Sequence, residues 1–257
     1  MSESPSSDGR PVGRPSLEAA FGSPARKRWY VRRLFATIAD RYDLITRVLS
    51  FGQDRKWKAR LVELAGIGSG TRVVDLACGT GDLALAAAGR GASVTGLDIT
   101  PRMVELARAK PDRGIPVRWC VGDMGTLPLA SGAVDVVTTG YGLRNVPDLA
   151  VAIAEIHRVL VPGGTIASLD FDRPESRWVR AVYLGYLTFV GSALGWVLHR
   201  DPDTYRYIPA SIRRYPGARG VVAILADAGF DDVRHVRVLG GFMAFHLARK
   251  AVGDGRS

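Results

Sequence analysis

Three carboxylates, each closing an apolar run, are spaced along the first half of the chain as a nucleotide-like ligand would need. Val73-Val74-Asp75-Leu76 runs through Ala77-Cys78 into the tight turn Gly79-Thr80-Gly81 and a helix-like stretch from Asp82 to Ala88. Strand, glycine turn and helix bring backbone close to a ligand, and glycine is needed where a Cβ would block that approach. The turn lacks the third glycine of a dinucleotide fingerprint and the Gly-Lys-Ser/Thr ending of a phosphate loop. Asp98 ends a second apolar run, 17 residues after Gly81, where an acid binds ribose hydroxyls. A helix N-cap is the competing role for Asp98, although Thr100-Pro101 is itself a good helix start. Met103, one turn on, packs either on an adenine face or into ordinary core. Asp123, followed by Met124, ends a third run beginning at Val117.

These groups need a sheet to hold them. From Thr71 to Leu169 strands alternate with helical stretches, the pattern of a parallel sheet. A fourth strand is predicted over Val134–Thr139, a helix over Leu149–Leu160, and a fifth strand over Thr165–Asp170 after Pro162-Gly163-Gly164. Val233–Leu239 and Phe242–Ala248 read as a hairpin about Gly240-Gly241. The strand–glycine turn with Asp75 resembles motif I of the class I S-adenosylmethionine (SAM) methyltransferases, and in such enzymes an acid at the place of Asp123 accepts from the adenine amino group. That resemblance implies an α/β fold: a Rossmann-like seven-stranded sheet, helices on both faces, the last strand antiparallel. It also implies a SAM site made of Asp75, Gly79, Thr80, Gly81, Asp98, Met103, Asp123, Met124 and Gly140.

The 257 residues suffice for one large domain, expected over 26–257, and residues 1–25, rich in Ser, Pro, Gly and Arg, read as a disordered basic arm. Residues 26–65 read as amphipathic helices carrying the basic cluster Arg26, Lys27, Arg28, Arg32 and Arg33. The formal charge of +10 points to an anionic partner, a lipid surface or nucleic acid. Two cysteines imply no disulfide framework, and the scattered histidines and cysteines suggest no structural metal. Residues 181–198 carry no charge, and as a helix would span about 27 Å, the threshold for a bilayer. One crossing there would put the fifth strand and the hairpin on opposite sides of a membrane, so a span is rejected. A buried helix pair, or an apolar lid over 181–216 that touches a membrane, remains.

More specific blocks follow. Phe35–Leu44, Leu49-Ser-Phe-Gly52 and Arg55-Lys-Trp-Lys58 resemble the N-terminal signature of the ubiquinone/menaquinone biosynthesis C-methyltransferases, the UbiE type. So do Gly140-Tyr-Gly-Leu-Arg-Asn-Val-Pro-Asp148, Asp203–Pro216 and Gly240–His246. Thr46, Asp54, Cys78 and Asp170-Phe-Asp172 depart from the family's usual residues. The resemblance implies SAM-dependent carbon methylation of a polyprenylated quinol, typically demethylmenaquinol to menaquinol, with no metal. Aligning ring and methyl donor, and making the ring a phenolate, are then the enzyme's tasks. Arg144, which is not a plausible base, is read as partner of the phenolate, or as a structural salt bridge with Asp148 or Asp170. Asn145 sits beside it at the fourth strand's end. Tyr42 with Asp43 caps cofactor or ring, or packs the first helices. His246 is the proposed proton acceptor, with a satisfied core histidine as the alternative. Tyr205, Arg206 and Tyr207 line the substrate mouth or anchor the lid.

The expected partners are the polyprenyl quinol and, peripherally, an anionic membrane, with a homodimer left open. The expected location is the cytoplasm or the inner face of the membrane. An RNA methyltransferase is disfavoured, since the chain shows no RNP-like run and no Asn-Pro-Pro-Tyr-type motif. A non-catalytic SAM-binding subunit, or methylation of another apolar small molecule, completes the alternatives.

Overall fold

The computed structural model describes residues 17–110 and 115–252. Seven strands form one sheet: β1 (Arg72–Leu76), β2 (Ser93–Asp98), β3 (Val117–Val121), β4 (Val134–Gly140), β5 (Leu160–Phe171), β6 (Phe230–Val238) and β7 (Met243–Lys250). The order is β3-β2-β1-β4-β5-β7-β6. The first five are parallel, while β7 runs antiparallel to both β5 and β6, and lies between them.

Alternation along the strands builds two cores. Val73, Val94 and Val136 face one side, with Leu61 and Val62 of α4 (Asp54–Leu64) and Leu83, Ala84 and Ala87 of α5 (Asp82–Ala88). Val74, Leu76 and Val137 face the other, with Ile153 and Ile156 of α7 (Leu149–Val159) and Val221 and Leu225 of α10 (Gly217–Asp227). Successive residues of a strand point to opposite faces, so each apolar run serves both layers.

Three boundaries differ from expectation. The helix after β4 stops at Val159, and β5 begins at once, taking Pro162-Gly163-Gly164 into an irregularity between the Val134↔Leu160 and Val136↔Thr165 pairs. The hairpin is longer than predicted, and its turn holds Leu239, Gly240 and Gly241 at φ of 51°, 65° and 90°. Residues 177–199 form a single helix, α8 (Arg177–His199), not a pair.

Of the expected disordered arm, residues 1–16 lie outside the described residues. Leu17–Ala20 is α1, and Pro24 opens α2 (Pro24–Ile38), capped by Ser23, so ordered structure begins before residue 26. α2, α3 (Tyr42–Leu49) and α4 supply the predicted helices of 26–65. The basic cluster is not wholly solvated: Lys27 donates to the carbonyls of Arg144 and Val146, and Arg28 pairs with Asp123. α2 is thereby fastened across the carboxyl ends of the strands. The helices α6 (Pro101–Ala109) and α9 (Tyr207–Arg214) complete the fold.

Candidate active site

Two cavities open where the parallel strands end. The first, about 660 Å³, is lined by Ala77 and Gly79 after β1, Asp98–Thr100 after β2, Met103 on α6, Gly122–Met124 after β3, and Gly140–Gly142 and Asn145 after β4. Arg28, Val31 and Phe35 of α2 close it. Asp98 is buried, accepting from the backbone N–H of Gly79 (2.9 Å) and of Thr100 (2.8 Å). Burial raises its carboxyl above the usual range against those two bonds. It thus braces the glycine turn, and Thr100 occupies the N-cap position of α6. Met103 is both core and cavity wall.

The second cavity, about 800 Å³, is apolar. Leu34, Ile38, Ile45, Leu49, Trp57, Phe171, Tyr183, Tyr205, Tyr207 and Met243 belong to its wall. The charged residue in its wall is Arg144, whose Nη1 donates to the Tyr141 carbonyl (2.9 Å) and to Asp170 Oδ1 (2.7 Å). Burial disfavours the guanidinium charge, but Asp170 reverses the balance and leaves its pKa above the ordinary value. Arg144 Nε is buried without a protein partner, and the guanidinium carbon lies 4.6 Å from the Phe171 ring centre. The salt bridge is therefore with Asp170. Asp148 instead caps α7, accepting from Ala150 and Val151 N–H.

Phe35, Tyr42 and Tyr141 line both cavities and form the wall between them. Ala77 and Tyr141, ending the adjacent strands β1 and β4, have φ of 52° and 62°. Positive φ outside glycine is costly and tends to collect at working sites. The Tyr141 carbonyl accepts from both Arg144 and Asn145 Nδ2 (2.8 Å), so one strained residue orients the two side chains.

The sequence matches the ubiE/COQ5 methyltransferase family over residues 24–250. The chain belongs to that family. Demethylmenaquinone methyltransferase of Thermus thermophilus is 41% identical over 217 residues, 83% of this chain and 98% of that protein. The ubiquinone/menaquinone biosynthesis C-methyltransferase UbiE of Rubrivivax gelatinosus is 38% identical, covering 86% of this chain and 87% of its own length. Among solved structures, a SAM-dependent methyltransferase of Aquifex aeolicus superposes with a TM-score of 0.59 at 19% identity, covering 83% of this chain and 97% of its own. One from Thermotoga maritima does so with the same score and identity, covering 85% and 99%. The fold is that of the SAM-dependent methyltransferases.

The first cavity of this ubiE/COQ5-family methyltransferase has groups that could hold the methyl donor. It presents acids at the ends of β2 and β3, glycine backbone, and the buried Asn145 Oδ1, an acceptor with no protein partner, suited to an amino group. Asp98, Met103, Asp123, Met124, Gly79, Gly140 and Asn145 all reach it, and Asp123 does so while paired with Arg28 at 2.7 Å.

Three expected cofactor residues do not line this cavity. Asp75 lies wholly buried beneath the turn, accepting from Thr138 Oγ1 (2.9 Å), and is not part of the cavity wall. Thr80 turns away to Asp43 and Lys110. Gly81 is needed for core packing, since a Cβ there would meet Trp119 at 2.4 Å. His246 is also away from both cavities. Its place in β7 opposite Ser168 buries it, and Nδ1 is 3.1 Å from Ser168 Oγ. Burial pushes its pKa down to about 4 and leaves Nε2 without a partner, so His246 is a core residue, though not a fully satisfied one, and is not placed to accept a proton in either cavity. Tyr42 is on the shared wall, whereas Asp43 binds Thr80 and Lys110 at its edge. Tyr205 and Tyr207 line the apolar cavity. Sequence reasoning passed over Tyr141, Phe35 and Arg28. An aromatic residue between the two glycines at the end of β4 was the available signal for Tyr141.

Proposed function

We propose that this enzyme methylates a ring carbon of a polyprenylated quinol, with demethylmenaquinol to menaquinol as the specific reaction. The observation that carries the reading is that a polar, acid-lined cavity adjoins an apolar one containing a buried arginine, with Phe35, Tyr42 and Tyr141 lining both. The names of the relatives from Thermus and Rubrivivax support the same substrate class.

In the first cavity SAM supplies a methyl group already activated on a sulfonium. The protein's own task is to bring ring and donor into contact where the two cavities adjoin, beside Phe35, Tyr42 and Tyr141, and proximity of that kind is worth several kcal/mol of barrier. Arg144, desolvated and oriented by Asp170 and the Tyr141 carbonyl, offers its unpaired Nε–H to a developing phenolate oxygen. Methyl transfer from labelled SAM to a reduced short-tailed demethylmenaquinol tests the reading. Product with wild type and at least tenfold less with Arg144→Ala is expected. No product despite intact SAM binding refutes it.

The same reading places the enzyme on an anionic membrane. α8 turns Trp178 (85% exposed), Val182, Phe189 (77%), Trp196 and Val197 to solvent, on the face where a soluble helix carries charge. Arg177 and Arg200 lie at its ends, and Phe51 and Leu239, both exposed, stand at the mouth of the apolar cavity. The helix passes the length and hydropathy test for a span. It nonetheless packs on α9, and the strands on either side of it belong to one sheet, so it would lie along the interface rather than cross. Sedimentation with phosphatidylglycerol vesicles but not phosphatidylcholine vesicles, abolished by a Trp178→Ser/Phe189→Ser double substitution, is the expected result. A dimer dissolved by the same substitutions would assign the face to a second copy.

A further inference from the structure

The wall between the cavities holds a hydroxyl that neither the methyl-donor site nor the arginine pair explains. Tyr141 Oη donates to Asp54 Oδ1 at 2.7 Å. Asp54 is itself buried, and its other oxygen pairs with Lys58 Nζ, also at 2.7 Å. The series continues through Lys58–Asp82 (3.2 Å), Asp82–Lys110 (2.6 Å) and Lys110–Asp43 (2.8 Å), where the Asp43 side chain is 44% exposed. Polar side chains in contact thus run from the cavity wall to the surface, and the end at the wall is a phenol on a residue held at positive φ.

We propose that Tyr141 and Asp54 form the proton acceptor of the reaction: Tyr141 takes the hydroxyl proton of the bound quinol as it passes its own proton to Asp54. The inference rests on the quinol reading of the apolar cavity. The step balances. The ring O–H bond breaks and a new Tyr141 O–H bond forms, while the old Tyr141 O–H bond breaks and an Asp54 O–H bond forms. The electron pair stays on the ring oxygen as phenolate, which raises electron density on the neighbouring carbon. Once methylated, that carbon gives its hydrogen to solvent water, the one proton released overall, and the relay runs backward, the Asp54 proton passing through Tyr141 to the ring oxygen and returning both residues to their starting state. Burial and the Asp54 charge push the Tyr141 phenol far above its ordinary range, so a tyrosinate does not accumulate and the two transfers go together. Lys58 compensates the carboxylate charge before the step, and Arg144, in the wall of the same cavity, meets the charge that appears on the ring. His246 is thereby replaced as acceptor by a pair whose Tyr141 lines the cavity, with Asp54 behind it.

The test is single-turnover methyl transfer to a short-tailed demethylmenaquinol under reducing conditions, from pH 6 to 10, with wild type, Tyr141→Phe and Asp54→Asn. At pH 7 both substitutions are expected to slow transfer by about 100-fold or more, as loss of a general base does. SAM affinity should stay within about threefold. The deficit should shrink as pH nears the ring's own ionisation, about 10 for a phenol, because an ionised ring needs no acceptor. Wild type should also show a solvent deuterium effect that Tyr141→Phe lacks. Tyr141→Phe transferring within threefold of wild type at pH 7, or losing the same factor at every pH, overturns the proposal. If Asp54→Asn fails to fold, Tyr141→Phe, which deletes one oxygen, still decides. Wild type that binds SAM yet methylates no quinol refutes the quinol reading and the relay with it, whereas product from wild type with an unaffected Tyr141→Phe refutes the relay alone.

Discussion

The Arg144–Asp170 pair should be among the most sensitive points of the molecule, and Asp170→Asn isolates it. Asp170 is wholly buried and accepts three hydrogen bonds: from Arg144 Nη1 (2.7 Å), Phe171 N–H (2.8 Å) and Arg144 N–H (3.2 Å). An amide in its place keeps two acceptors' worth of geometry on one oxygen, but turns an NH₂ toward the Arg144 N–H and leaves the buried guanidinium uncompensated. Breaking a buried pair from one side costs about 3–5 kcal/mol, a large part of the roughly 5–15 kcal/mol that holds a domain together. At about 2–4 °C per kcal/mol for a chain of this size, the melting temperature should fall by about 6–20 °C. Because neither partner is in water, the drop should be nearly the same at 0.1 and 1 M salt. Thermal unfolding followed by circular dichroism measures it. Arg144→Met combined with Asp170→Asn should cost less than the sum of the single changes by about 2 kcal/mol. A fall of under 3 °C, or strict additivity, would refute the claim that this pair is desolvated and coupled.

Three further outcomes are expected. His246, with a pKa near 4 in the fold and about 6.5 unfolded, keeps its full contribution above pH 6.5 and loses it as pH falls toward 4, by roughly 3 kcal/mol. Melting curves of wild type and His246→Asn should therefore converge with acidification, while methyl transfer at pH 7 by folded His246→Asn stays within threefold. Asp75 is pushed up to about 7, first by burial, so the native state binds a proton that the unfolded chain releases and stability declines as pH rises through that range. Asp75→Asn should then be at least as stable as wild type at pH 8 and lose that advantage at pH 5, as denaturant titrations would show. Gly81→Ala should cost about 3 kcal/mol, from positive φ and the collision with Trp119. Gly79→Ala carries only the strain of φ +55°, about 1–2 kcal/mol, and its main effect should be a several-fold weaker SAM dissociation constant by calorimetry.

Local patterns announced much of this architecture. The apolar runs ending in Asp98 and Asp123, the turn at Gly79 and the Gly140–Asn145 block are contiguous signals, and the residues they mark do converge on the cavities. Asp75 and Gly81 share the same motif yet serve the core, because a motif does not say which of its side chains face inward. His246 misled for a related reason: alternation along β7 assigns it a face, but its partner Ser168 lies 78 positions earlier. The series from Tyr141 to Asp43 joins residues of α3, α4, α5 and two loops, so no stretch of sequence displays it. The uncharged run at 181–198 was plain to read, whereas its exposure depended on how little of α8 the remaining chain covers.

The placing of β7 between β5 and β6 has a consequence for how the molecule is made. β6 is synthesised first, yet its ladder partner in the sheet is residues 243–250. Until that segment leaves the ribosome, β5 presents an unpaired edge over Thr165–Phe171, and β6 has no strand to pair with. Residues 243–250 therefore complete a ladder begun about 70 residues earlier, and the nascent chain carries an aggregation-prone edge from the emergence of β5 until they follow. Truncation before residue 243 should cost the cell two strands rather than one, and slow translation between β5 and β7 would lengthen the interval in which chaperones must shield that edge.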